Sequence, residues 1–257
     1  MTSSSPSSGS RTAILAVLRQ AIPQIIEGGG AGNFFTFGSP AVDDQLPGEG
    51  LSRAAYHEIH YAADPNMPAA FGFLAALLTA LPTGAPIFFI TSARGFSAAD
   101  PHGHGLKGLG LDPLRLVFVE TKTHAETLWA IEEALKSQAP GAVASLLKRP
   151  LDFRTSRRLS LAARAATRPL LLLLKAEKAG ASAASTRWQI RPAPAARDFY
   201  GLILNSRWRV TLERSRNGWP CEWLMEWDHA SHRFSLVAAL AGSAVSDDGV
   251  HRRAHSG

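Results

Sequence analysis

Residues 168–175 read RPLLLLLK, and an apolar run this short and this continuous is the strongest constraint in the chain. It is too short to span a bilayer as a helix. As a strand it has no polar face, so both of its sides must be covered. Comparable stretches recur at PIFFITSA (86–93), RLVFVET (115–121) and AVASLL (142–147), with a further strand candidate at 54–61. Between them, helices are expected at about 68–81, 124–138 and 154–166. Buried strands that alternate with helices predict an α/β fold built on a mostly parallel sheet with helices on its flanks.

After residue 184 the pattern changes. STRWQIRPAP, RWRVTLERSR and EWLMEWD alternate and are joined by turn sequences such as NGWP. They predict antiparallel strands that extend the sheet on its C-terminal side. EKAGASAAS, between the two regions, is small and polar and is expected to be a mobile loop. MTSSSPSSGS reads as a disordered tail at 1–10, without the apolar core of a secretory signal. An N-terminal helix and linker are expected at 11–33, one domain at 34–240, and a second tail at 241–257. A length of 257 residues suits one large α/β domain. A single cysteine, Cys221, excludes an internal disulfide and any cysteine-rich zinc site. A soluble cytoplasmic protein with no membrane partner is the expectation.

Charge is unevenly placed. Residues 1–147 carry 8 Lys+Arg against 12 Asp+Glu, whereas residues 148–257 carry 19 against 9. Such asymmetry points to a polyanion or an acidic partner, unless the charges merely solvate helix and strand faces. LDFRTSRRLSLAARAATR reads as a helix with Leu159, Ala162, Ala163 and Ala166 inward. Arg154, Arg157, Arg158 and Arg164 then lie toward solvent at helical spacing. Arg187 and Arg207 alternate with Trp188 and Trp208. Arginine forks suit phosphate or carboxylate, and arginine interleaved with aromatics suits single-stranded DNA. The tryptophans themselves read as core. Arg154, Arg157, Arg158, Arg187 and Arg207 are therefore candidates for a shared electropositive surface for DNA or a partner.

FGSPAVDDQLPGEGLSRAAYHEIHYAADPNMPAAFGFLAALL (37–78) resembles the entry to a RecA-type core, in which a turn-rich segment leads to a strand ending in Glu-Ile and then to the phosphate loop. LPGEGLSRAAYHEI, LGLDPLRLVFVE, LWAIEEAL, LDFRTSRRLSLAARA, SAASTRWQI and RWRVTLERSRNGWPCEWLMEWD, taken in order, are similar to the ImuA family, the RecA-like accessory proteins of bacterial damage-induced mutagenesis. The likeness covers roughly residues 34–237. It implies a RecA-like core and a role in SOS-induced translesion DNA synthesis. It implies as partners an ImuB-like Y-family protein and an error-prone polymerase III alpha-type subunit, with RecA and single-stranded DNA as further candidates.

The resemblance meets a chemical obstacle at the phosphate loop. A P-loop needs G-x-x-x-x-G-K-[ST]: glycines so that N–H groups can turn to phosphate, a lysine for charge, and a hydroxyl for Mg²⁺. In register, Tyr61 and Asn66 replace the glycines, Met67 the lysine and Pro68 the hydroxyl. The water-activating carboxylate after the second strand aligns with Ala93. A degenerate P-loop, no enzymatic activity and no cofactor are the expectation. An ATP-dependent RecA-like repair or recombination protein is the alternative that this loop disfavours. A cell-division inhibitor of the damage response is a third reading, on a loose similarity to the SulA group. GHGLKG (103–108) fits G-x-G-x-x-G but does not directly follow a strand, so a dinucleotide site is not expected. His57, His60, His102 and His104 lack the spaced partners of a metal site.

Overall fold

The computed structural model describes residues 33–82, 84–92, 101–176, 180–215 and 219–242. The tail at 1–10, nearly all of the segment 11–33, Ala93 and residues 243–257 lie outside the described residues.

A small antiparallel pair, β1 (Phe34–Phe35) and β2 (Leu51–Ser52), precedes the main sheet. Between them a short helix α1 (Pro40–Asp43) and a glycine turn reverse the chain. Gly48 has φ +70, and a Cβ there would stand 2.4 Å from the Phe34 ring, so the turn needs glycine twice over.

Among the described residues the main sheet has nine strands, in the order β11-β10-β9-β8-β3-β7-β6-β4-β5. Their ranges are β3 (Tyr56–Tyr61), β4 (Ile87–Ser92), β5 (Leu116–Thr121), β6 (Ala142–Leu147) and β7 (Leu170–Lys175), followed by β8 (Thr186–Arg197), β9 (Ile203–Ser215), β10 (Cys221–Asp228) and β11 (Arg233–Gly242). From β5 through β3 to β8 every pairing is parallel, and β9, β10 and β11 add antiparallel. The α/β architecture expected from the apolar runs is present, as is the antiparallel extension. One strand was not anticipated: β11, whose Leu236 and alanine-rich sequence favour helix as much as strand.

Three longer helices cover the parallel half. α2 (Met67–Thr79) packs on one face, where Phe73, Leu74 and Leu77 join Ile59, Phe89, Leu171 and Leu173. The short α3 (Gly103–Gly108) adds Leu106 to the same core. α4 (His124–Ser137) and α5 (Phe153–Ala166) cover the other face, burying Ile131, Leu135, Leu159 and Ala163 against Val143, Leu170 and Leu172. Their starts are capped by side chains: Thr123 accepts from the Glu126 N–H and Asp152 from the Thr155 N–H.

Among the described residues, the antiparallel half is covered on one face only. Trp188, Trp208, Trp223, Trp227 and Phe234 form an aromatic layer against Phe37 and Phe73, so Trp188 and Trp208 are core, as read. Burying aromatic area on this scale dominates the local energetics. Among the described residues no helix is long and apolar enough to cross a membrane.

Candidate functional site

The loop that the sequence sets in register with a phosphate loop runs from Tyr61 at the end of β3 to Pro68 in the first turn of α2. Tyr61 is buried, and burial raises its phenol pKa, with the charge of Asp64 adding to the effect. Residues Asp64–Asn66 make one 3-10 turn. Met67 is turned into the core, and Pro68, in the first turn of α2, offers no N–H. The Lys175 ammonium from β7 lies 3.0 Å from the Asp64 carboxylate. The loop therefore presents a carboxylate, with its neighbouring lysine already paired to it.

Just before this loop, β3 carries a buried carboxylate. Glu58 is 3% exposed, in a strand whose every residue is buried. The Tyr56 hydroxyl and the Ser182 hydroxyl, the latter at 2.5 Å, donate to its Oε1. The Arg187 Nε, at 2.7 Å, donates to its Oε2, and His60 Nε2 lies 3.3 Å from the same oxygen. Burial alone pushes the Glu58 pKa up. The close approach of His60, the hydrogen bonds from Ser182 and Tyr56, and the Arg187 charge overcome this and bring it down to about 2. Burial raises the Tyr56 phenol well above its ordinary range, and the neighbouring carboxylate adds to that. Ionised and saturated with donors, Glu58 takes up no proton near neutral pH, whereas a general base needs a pKa close to the working pH.

The opposite face of the same strand has a second network. The Trp188 indole donates to Thr186 Oγ1 at 2.7 Å, and His57 Nδ1 lies 2.8 Å from that oxygen. His57 Nε2 lies 2.8 Å from the Ser52 carbonyl, which can only accept. In a neutral ring Nε2 must then carry the proton, and Nδ1 accepts from Thr186. Both networks join β3 to β8 at adjacent pairs of one register, His57 with Thr186 and Glu58 with Arg187.

The chain is 33% identical over 241 residues to Protein ImuA of Caulobacter vibrioides strain NA1000 / CB15N, a match covering 85% of this chain and 94% of that protein. The same figures hold for Protein ImuA of the strain ATCC 19089 / CIP 103742 / CB 15. No family model matches the chain. The chain belongs to the ImuA family.

The arginines singled out in this ImuA-family sequence divide into two groups. Arg154, Arg157 and Arg158 are exposed on α5, with Arg158 Nε 2.5 Å from Glu132 of α4. Arg207 is half-buried on β9 and lies 2.5 Å from Glu226 of β10. Because Trp208, Val210 and Leu212 face the aromatic core, strand alternation puts Arg207 on the other face of the sheet, the one on which α5 packs. Arg187 departs from the expected surface: it is 8% exposed and turned inward to Glu58 and the Gly180 carbonyl. A guanidinium at that depth is held by its partners and is closed to DNA.

The polar segment expected to be mobile also differs in its described part. Ser182, Ala184 and Ser185 are buried. The Ala183 N–H donates to Ser156 of α5, and Arg214 donates to the Ser182 carbonyl. Residues 177–179 lie outside the described residues. Sequence reading missed the Glu58 network because Arg187 is 129 positions away. The available signal was a lone acid within a strand of otherwise inward residues, since a buried carboxylate requires donors.

Proposed function

We propose that this chain is a non-catalytic accessory protein with a RecA-like core and a degenerate P-loop, acting in SOS-induced translesion DNA synthesis and mutagenesis. Its proposed partners are an ImuB-like Y-family protein and an error-prone polymerase III alpha-type subunit, with RecA and single-stranded DNA as further contacts. The observation that carries this reading is the likeness to Protein ImuA, which spans 94% of that protein. The loop after β3 supports the non-catalytic part. Tyr61, Asn66, Met67 and Pro68 stand where a P-loop has its glycines, lysine and hydroxyl, and Asp64 places negative charge where triphosphate would sit. The order in which a buried strand, a loop, a helix and a second parallel strand follow one another is consistent with a RecA-type core.

A strain lacking the chain tests the role. Damage-induced mutation frequency should fall to the uninduced level while growth without damage is unchanged. Full induced mutagenesis in that strain would refute the reading. The purified chain should show no DNA-stimulated ATP hydrolysis, because the loop lacks the lysine and hydroxyl that hydrolysis needs. An ATPase rate abolished by changes at Asn66–Ala69 would refute the non-catalytic part.

A further inference from the structure

A cavity of 460 Å³ lies at the carboxyl ends of β4 and β6. That volume is in the range of small-ligand sites, and the carboxyl ends of parallel strands are where open α/β sheets bind ligands. It lies away from the loop after β3: in the sheet order β7 separates β3 from β6. Its charged lining comes from two separate connections, Lys122 after β5 and Lys148 with Arg149 after β6, and Ser92 and Thr123 add hydroxyls. None of the described lining residues is Asp or Glu. Cations gathered around a concave wall repel one another, and an anion in the cavity relieves that repulsion. His124, also in the lining, has its pKa lowered by burial first and by the charge of Arg149 second. Its ring is neutral at physiological pH and serves as a hydrogen-bonding group. The Arg149 charge that shifts it is felt inside the cavity.

We propose that this cavity is a phosphate-binding site, taking a phosphate group carried by a free nucleotide or by a nucleic-acid strand. A tetrahedral anion with several acceptor oxygens matches a guanidinium fork, ammonium groups and hydroxyls converging from different directions. A single carboxylate has neither the charge nor the oxygens to use them all. The site adds a ligand class to the accessory role and does not depend on which protein partners the chain has.

The test uses the full chain at low salt with three probes: inorganic pyrophosphate, ADP, and a fluorescein-labelled oligodeoxythymidine. Lys122→Gln and Arg149→Gln should each weaken binding roughly tenfold, the loss expected for one charge-assisted hydrogen bond. Both side chains are exposed, so thermal unfolding should be unaltered and serves as the folding control. Pyrophosphate or ADP binding that both variants weaken supports a site for free phosphate. Oligonucleotide binding alone, weakened by both, supports a site for strand phosphate. Arg233→Gln, at the start of the opposite edge strand β11, is the matched loss of charge and should leave binding intact. No binding of any probe, binding that both variants retain, or equal weakening by Arg233→Gln would overturn the proposal.

Discussion

The two halves of the nine-stranded sheet solve the same burial problem differently. In the parallel half, β3 and β6 bury every residue, because helices cover both faces. In the antiparallel half, β10 alternates buried and half-buried residues along its whole length, because only one face is covered by the described residues. Part of the charge on the open face is paired across strands. Arg207 meets Glu226 and Arg209 meets Glu222, each pair bridging β9 and β10. Arg187, Arg207 and Arg209, counted toward a basic surface by composition, are thus paired within the sheet. The exposed arginines of α5 include Arg154, Arg157 and Arg158, and Arg158 is itself paired with Glu132 of α4. The halves meet at β3 and β8, where a polar network on each face ties the register.

That seam offers the largest test. Glu58→Ala leaves the Arg187 guanidinium buried without its partner, and loss of one member of such a pair costs about 3–5 kcal/mol. Urea unfolding should show a loss of this size, and a double variant with Arg187→Met should recover part of it. A cost below about 1 kcal/mol, the level of a surface pair, would mean that the seam is no stronger than the open face.

The next effect is in pH. The folded pKa of Glu58 is about 2, below its ordinary 4.5. A depressed folded pKa contributes stability that is fully present above the ordinary value and is lost as pH falls through the folded one. The contribution, roughly 3 kcal/mol at 1.36 per unit, should therefore disappear between about pH 5 and pH 2. Comparing chemical unfolding of wild type and Glu58→Gln at pH 7 and pH 3 isolates it, since every other carboxylate is common to both. The gap between them should narrow at pH 3. A constant gap would mean that Glu58 is not ionised in the fold.

The two halves were not equally legible in the sequence. Helices expected at 68–81, 124–138 and 154–166 stand at Met67–Thr79, His124–Ser137 and Phe153–Ala166, because caps and apolar spacing act over a few residues. β8, β9 and β10 were readable from alternation. β11 was not, because its alanines and leucines carry no period-2 signal. The site was less legible than the fold. The substitutions in the β3–α2 loop could be read in register, but the direction of Met67 and the Lys175–Asp64 pair could not. Exposed arginines on α5 followed from helix geometry. Arg187 did not, since only the folded register brings it to Glu58. The cavity residues Lys122, Lys148 and Arg149 each follow a strand end, but nothing local places them around one space.

A smaller effect belongs to the other face of the seam. Thr186→Val keeps the shape of the side chain but removes the oxygen shared by Trp188 Nε1 and His57 Nδ1. A buried donor or acceptor left without a partner costs about 1–3 kcal/mol. Trp188 should stay in the core, so its fluorescence should remain that of a buried indole while the unfolding midpoint falls. A neutral substitution would show that the aromatic packing alone holds β8 to β3.

The smallest effect is expected on the open face. Arg209 Nη1 lies 2.9 Å from Glu222, but the arginine side chain is 47% exposed and water screens the pair. Exposed pairs contribute about 0–1 kcal/mol, and salt reduces that further within a Debye length of about 10 Å at 0.1 M. Arg209→Gln should therefore shift the unfolding free energy by less than about 1 kcal/mol at low salt, and by nothing measurable at high salt. The salt dependence is the sharper readout, because a loss that persists at high salt would mark packing of the arginine stem and not charge. A loss as large as the roughly 3–5 kcal/mol expected for the seam would show that the open face is held as firmly, and would erase the contrast between the two halves of the sheet.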